Sequence, residues 1–256
     1  MKIIILAGGF GTRLSEQTEV KPKPMVEIGN RPILWHIMKI YAHYGFHEFI
    51  IAMGYKADYI KKYFLEYPSY SGNLTIKIHD GQSQVVRREQ DDWTIHLEDT
   101  GHDTMTGGRI KKLSNWVQSE TFMVTYGDGV SDVPIDQLLA FHKSHGKMVT
   151  ITAVRPPSRF GGLVLDDTTV TEFTEKSQAG EGWINGGFMV LEPDVLNRIQ
   201  GASSSLEFDV FEDLAREGQI AAFCHDGFWQ CMDTLRDLKY LEGLWSAGSA
   251  PWKVWE

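Results

Sequence analysis

The sequence contains only two cysteines, Cys224 and Cys231, among 256 residues. Two thiols exclude a disulfide framework, and neither has the neighbours that a zinc site needs. Both are expected to be reduced. Basic residues are not in excess either: 25 Lys and Arg stand against 34 Asp and Glu, for a net charge of −9. That balance argues against nucleic acid as a partner, because too few cations are present to neutralise a run of phosphates. An anionic ligand must instead be held by a few local cations, by backbone N–H groups and by metal. Long apolar runs are missing too. The opening run from Ile3 to Ala7 is shorter than a signal-peptide core and far shorter than a membrane span. A cytoplasmic protein with no membrane partner is expected. Internal repeats, low-complexity tracts and long linkers are also absent.

What is present suits a large α/β domain. Apolar residues make up 42% of the chain and charged residues 23%, ordinary values for a protein with a substantial core. Ile3–Leu6 reads as a buried parallel strand. From Ile33 to Tyr44 the apolar residues follow helical spacing, and Gly45 suits the position just past a helix end. Strands at 49–53, 74–78, 122–126 and 149–154 then alternate with helices at 57–67 and 135–145. This rhythm predicts a largely parallel sheet covered on both faces. Beyond Pro156 the predicted strands are shorter, at 163–165, 170–173 and 188–191, and helices at 208–217 and 235–247 follow. One composite domain over 1–256 is expected, with a core at about 1–150 and a second part at about 151–256.

The first strand runs into Leu6-Ala7-Gly8-Gly9-Phe10-Gly11-Thr12-Arg13-Leu14. Glycines after a buried strand let the backbone approach a phosphate, and successive N–H groups form an anion-binding nest. The Walker loop, which needs Gly-Lys-Ser/Thr after four intervening residues, is absent. A dinucleotide fingerprint on Gly9-Phe10-Gly11 fails at Leu14, where close helix–strand packing wants Gly or Ala. The loop is distinguished by its cations. Arg13 follows the glycines, and Lys21-Pro22-Lys23-Pro24-Met25 follows Arg13. The prolines fix φ, so Lys23 is held in place. A guanidinium suits a pyrophosphate and an ammonium suits a phosphoryl oxygen. The bland alternative is a solvated Lys-Pro turn.

Gly-Gly-x-Gly-Thr-Arg-Leu followed by Lys-Pro-Lys-Pro-Met-Val resembles the sugar-1-phosphate nucleotidyltransferases. The likeness runs along almost the whole chain. Thr104 through Arg109, the stretch Met232-Asp233-Thr234-Leu235-Arg236-Asp237 and the ending Ala250-Pro251-Trp252-Lys253 resemble the cytidylyl branch. The resemblance implies an α/β, Rossmann-like mixed and mostly parallel sheet with helices on both faces, plus a small sugar-binding β-rich portion. It implies CTP and glucose 1-phosphate as substrates, Mg²⁺ as cofactor, and a homo-oligomer, with a hexamer suggested. It also implies a place in making CDP-sugar precursors of surface polysaccharide such as O-antigen. Leu6, Ala7, Gly8, Gly9, Gly11, Thr12 and Arg13 would bind the nucleotide, and Arg13 and Lys23 would act on its phosphates.

Transfer on a triphosphate needs a divalent ion, and Mg²⁺ takes few protein carboxylates. Asp128 ends an apolar strand, the sheet edge at which ligands collect. Asp233 offers a partner, although alone it also reads as a helix N-cap before Leu235. The resemblance makes both the metal aspartates. Asp91-Asp92 and Asp166-Asp167 read instead as solvated turn residues. A cytosine site must supply an acceptor beside its donors, because unmatched buried polar groups are costly. Thr104 can play either role and Arg109 can donate to the base or the triphosphate. By resemblance the sugar phosphate falls to Lys23, Gly161, Glu175, Lys176, Asn185 and Gly186. Ser177 and Cys231 stand where proline is usual in the family. The rival readings are the same chemistry with UTP, dTTP or another sugar phosphate, a silent nucleotide- or sugar-sensing homologue, and a dinucleotide-dependent oxidoreductase.

Overall fold

The computed structural model describes residues 1–11, 14, 18, 20–70, 72–87, 91–156, 162–166, 169–174 and 182–256. Its centre is an eight-stranded sheet. In chain order the strands are β1 (Ile3–Ala7), β2 (Glu48–Met53), β3 (Thr94–Asp99), β4 (Phe122–Tyr126), β5 (Val149–Val154), β6 (Ile184–Asn185), β7 (Met189–Leu191) and β8 (Ile220–His225). Across the sheet they run β6-β5-β7-β4-β1-β2-β3, and β8 pairs β5. β1 is parallel to both β2 and β4, and β2 is parallel to β3. β7 runs antiparallel between β4 and β5. The sheet is therefore mixed and mostly parallel, as expected. The chain reaches β2 and β3 on one side of β1 before crossing to β4 on the other. The crevice beyond the carboxyl ends of β1 and β4 is thus a topological switch point, where open α/β sheets bind ligands.

The unbroken apolar runs are explained by burial on both faces. Ile3, Ile5 and Ala7 pack into one core with Phe49, Ile51 and Met53, while Ile4 and Leu6 point into another with Ile50, Ala52 and Val124. Helices α1 (Ile33–His43), α2 (Ala57–Tyr70), α5 (Ile135–His145) and α7 (Leu235–Ser246) supply residues to the first core. Helices α3 (Thr106–Lys112), α4 (Ser114–Val117) and α6 (Glu212–Arg216) supply the second. In α1, Ile33, Leu34, Ile37, Met38, Ile40 and Tyr41 are all fully buried. Each contributes at most about 1.5–3 kcal/mol of hydrophobic stabilisation. Gly45, with φ of 84°, stands just past the helix end, where a side chain would be strained.

The structure departs from expectation in several places, and β8 is a strand where none was expected. The strand expected at 74–78 lies off the main sheet, in a hairpin of Gly72–Lys77 with Gln82–Arg87. The parallel position belongs instead to β3. The N-cap of α7 is Thr234, whose hydroxyl accepts from the Asp237 N–H in a capping box, and not Asp233. Asp91 is no solvated turn residue: its side chain is 8% exposed and accepts from Lys39 Nζ at 2.9 Å and from the Tyr67 hydroxyl. The helix expected at 208–217 opens as a π-helix, Leu206–Phe211, before becoming α6. Of the aromatic tail, Trp252 is core. It is fully buried, stacks at 5.5 Å on Phe228 and donates from Nε1 to His36 Nδ1.

Candidate active site

The chain leaves β1 at Ala7 and turns at once through Gly8 and Gly9. A Cβ at Gly8 would lie 2.1 Å from the Arg109 guanidinium, so the residue types at 8 and 109 are mutually dependent. Arg109, in α3, is 4% exposed. Its Nη1 donates to Met53 O at 3.0 Å, Thr100 Oγ1 at 2.7 Å and Gly101 O at 2.8 Å. Its Nη2 donates to Gly8 O at 3.0 Å and His102 O at 3.3 Å. One side chain thus ties the ends of β1, β2 and β3 together. Burial lowers its pKa, and Asp99 partly offsets that. A contact from these nitrogens to a nucleotide would require Arg109 to exchange partners.

Lys23 opens a single turn of 3₁₀ helix, Lys23–Met25, entered from Pro22 and anchored by buried Pro24 and Met25. Its side chain is 11% exposed. Nζ donates to Asp128 Oδ2 at 2.6 Å and also to Asp233 Oδ1. Burial by itself would lower the lysine pKa, but the two carboxylates outweigh it and the net shift is upward.

Asp128 follows β4. Gly127 precedes it because a Cβ there would sit 2.9 Å from Leu6 O and 3.0 Å from Pro24. Asp233 is brought in by a short antiparallel ribbon, Gly129–Ser131 with Trp229–Cys231, in which Gly129 opposes Cys231. Met232 N also donates to Asp128 O at 2.8 Å. The ribbon delivers the two carboxylates to one point, occupied in this structure by the lysine ammonium. Burial, followed by Asp233, Asp128 and Asp237, pushes the Cys231 thiol up to about 12.

These elements line a cavity of about 480 Å³ between Leu6–Gly11, Lys23, Pro24, His102–Thr106, Arg109, Tyr126–Asp128 and Asp233. That volume suits a small-molecule ligand. Phe10, Tyr55 and His102 form an aromatic rim, with Phe10 and His102 centroids 4.7 Å apart. Thr104 is buried; its hydroxyl donates to Thr100 O at 2.6 Å and accepts from Lys112 Nζ at 3.2 Å.

Of the residues singled out in the sequence, Leu6, Ala7, Gly8, Gly9, Gly11, Lys23, Thr104, Arg109, Asp128 and Asp233 thus share one cavity. Asn185 adjoins it through Tyr126, to whose hydroxyl its Nδ2 donates at 3.1 Å. Gly186 packs so closely that a Cβ would meet Val154 at 2.7 Å. Thr12, Arg13, Gly161, Glu175, Lys176 and Ser177 lie outside the described residues. Sequence reasoning gave no role to Tyr126, at the carboxyl end of β4 where its position was a usable signal. Nor did it single out Glu207, which accepts from the Tyr126 hydroxyl at 2.7 Å and has no signal beyond an acidic residue in a helix.

The chain is similar to the glucose-1-phosphate cytidylyltransferases of Salmonella typhi and Salmonella typhimurium. Each is 50% identical over 257 residues, covering 100% of this chain and 100% of the relative. Among solved structures, HddC from Yersinia pseudotuberculosis superposes with a TM-score of 0.67 at 25% identity, covering 95% of this chain and 99% of that one. The nucleotidyl transferase family model matches residues 2–242, and with the relatives at this identity the chain belongs to the nucleotidyl transferase family.

Proposed function

We propose that this protein transfers CMP from CTP to α-D-glucose 1-phosphate, forming CDP-glucose and pyrophosphate. The observation that carries this reading is the convergence of Lys23, Asp128 and Asp233 at the switch-point cavity, in a chain half identical along its full length to two glucose-1-phosphate cytidylyltransferases. A phosphate monoester is already anionic, so the attack on the α-phosphorus needs no side-chain nucleophile. Positioning and charge stabilisation suffice.

The glycine loop Leu6–Gly11 with Thr12 cradles the nucleotide phosphates, and Arg13 holds the β- and γ-phosphates. Lys23 bridges the α-phosphate and the sugar phosphate. Thr104 faces the base, framed by Phe10 and His102, and Arg109 joins it by exchanging one of its backbone partners for the nucleotide. Gly161, Glu175, Lys176, Asn185 and Gly186 serve the sugar phosphate.

The site fits a divalent cation. Two carboxylates meet at one point that a positive charge already occupies, the Lys23 ammonium. Among the described residues no group of three or more His, Cys, Asp or Glu side chains is placed to enclose a metal. A two-carboxylate site suits Mg²⁺, which completes its shell with water and phosphate oxygens. Asp128 and Asp233 would hold it, and it would neutralise charge on the α-phosphate and the departing pyrophosphate.

No helix among the described residues is long and apolar enough to cross a membrane. The reading extends to a cytoplasmic homo-oligomer, a hexamer by resemblance, that supplies CDP-sugar precursors for surface polysaccharide. A panel of CTP, UTP, dTTP, ATP and GTP with glucose 1-phosphate and Mg²⁺, scored by pyrophosphate release, tests it. Preferred release with CTP is expected. Equal or better turnover with another nucleotide reassigns the base, and no release with any pair overturns the enzyme reading.

A further inference from the structure

Tyr126 lines the cavity beside Asp128, and its hydroxyl belongs to a network that crosses the site. Tyr126 Oη donates to Glu207 Oε1 at 2.7 Å and accepts from Asn185 Nδ2 at 3.1 Å. The other oxygen of the same carboxylate accepts from Thr106 Oγ1 at 2.6 Å and from Ser205 Oγ at 2.8 Å. Thr106, a second cavity-lining residue, also accepts from Leu206 N at 2.9 Å. Glu207 therefore joins the carboxyl end of β4 to the start of α3 and, through Tyr126, to Asn185 at the end of β6.

An ionised carboxylate only accepts. It obliges the hydroxyl protons of Tyr126, Thr106 and Ser205 to point at Glu207, in charge-assisted bonds stronger than neutral ones. The Tyr126 oxygen is then left as an acceptor, which fixes the Asn185 amide with Nδ2 toward it. The other end of that amide is fixed as well, because Asn185 Oδ1 accepts from Gly187 N at 2.9 Å. Burial and the Glu207 charge raise the Tyr126 pKa, so the hydroxyl keeps its proton. Glu207 is carried in the first turn of the π-helix Leu206–Phe211, and Ser205 caps that turn by accepting from Phe208 N. Such helical irregularities are frequent at functional sites.

We propose that Glu207 is a positioning residue: it fixes Tyr126 in the cavity wall and, through it, the Asn185 amide beside the cavity, and couples both to Thr106 at the start of α3. This rests on the reading above that Asn185 serves the sugar phosphate. The test uses the wild-type chain, Glu207→Gln, Tyr126→Phe and the double variant, each assayed with Mg²⁺, CTP and glucose 1-phosphate. A glutamine keeps the size of Glu207 but replaces one acceptor oxygen by a donor.

Glu207→Gln is expected to raise KM for glucose 1-phosphate about tenfold, in keeping with one disturbed hydrogen bond to a charged group. KM for CTP should move much less. Tyr126→Phe should show the same split, and the double variant should be no worse than the more affected single one, since the two residues act in one chain. An unchanged KM for the sugar phosphate in Glu207→Gln overturns the proposal, as do equal rises in both KM values or effects that multiply. A wild-type chain without turnover overturns the functional reading itself, an outcome distinct from a normal wild type with an indifferent Glu207→Gln.

Discussion

His36 offers a test of the packing of α1 against the C-terminal tail. It is fully buried in α1, with Nε2 at 2.8 Å from Ile28 O and Nδ1 accepting from Trp252 Nε1 at 3.3 Å. The pair of contacts requires a neutral ring protonated on Nε2. Trp35 and Trp245 meet the ring edge-on at 5.1 and 4.7 Å, an apolar shell in which a second ring proton is poorly solvated. Burial lowers the pKa from 6.5 to about 4, against the opposing pull of the Ile28 and Arg31 backbone and with a smaller push from the Arg31 charge.

Above pH 6.5 both the folded and unfolded states carry a neutral His36, and stability does not depend on it. Between 6.5 and about 4 the unfolded chain binds a proton that the folded one refuses, so stability falls as pH falls. At about 1.36 kcal/mol per pH unit, the loss approaches 3 kcal/mol by pH 4. Urea unfolding of wild type and of His36→Gln from pH 8 to pH 4 measures it. Glutamine does not titrate, while the remaining ionisable groups cancel in the difference between the two proteins. The advantage of wild type over the variant should shrink by about 3 kcal/mol across that window. A difference that stays constant with pH would refute the reasoning.

Three further outcomes follow from the geometry. Lys23→Met should lower turnover about 10²–10³-fold, as loss of one donor to developing charge does elsewhere, while tightening Mn²⁺ binding in the absence of nucleotide, because the competing ammonium is gone; normal turnover or weaker Mn²⁺ binding in calorimetry would contradict it. Gly8→Ala places a Cβ 2.1 Å from the Arg109 guanidinium, and a thermal melt should show it destabilised by about 2 kcal/mol or more, with an unchanged melting temperature counting against the interlock. Asp91→Ala removes the acceptor of Lys39 and Tyr67 and should cost about 1–3 kcal/mol, whereas Glu217→Ala, breaking the exposed pair with Arg198, should cost under about 1 kcal/mol in the same denaturant titration.

Much of the fold was legible because burial on both faces leaves a plain signature. β1, β2 and β4 are near-continuous apolar runs, β5 is a β-branched run, and α1 and α5 carry helical periodicity and a following glycine. β3 was not legible. Its Thr-Ile-His-Leu-Glu-Asp alternates polar with apolar and is only partly buried at the sheet edge, so the more apolar segment near Leu74 competed for the same assignment. β8 is likewise only partly buried. The glycine loop, Lys23 and Asp128 are local features, readable from a strand end and a proline frame. The meeting of Asp128 with Asp233 depends on a ribbon between distant segments, which no local pattern encodes, and only the family resemblance pointed to it. Glu207 shows the same limit: its partners Thr106 and Tyr126 lie far back in the chain.

The ribbon of Gly129–Ser131 with Trp229–Cys231 also sets an order of events during synthesis. Lys23 and Asp233 are 210 positions apart, and the glycine loop emerges from the ribosome long before its second carboxylate exists. A nascent chain that ends before Asp233 already carries β1 to β8 and every helix but α7, yet lacks the second carboxylate. If Asp233 holds the cation as proposed, reactivity toward a triphosphate is the last property such a chain acquires, and fragments released before Asp233 is added should release no pyrophosphate.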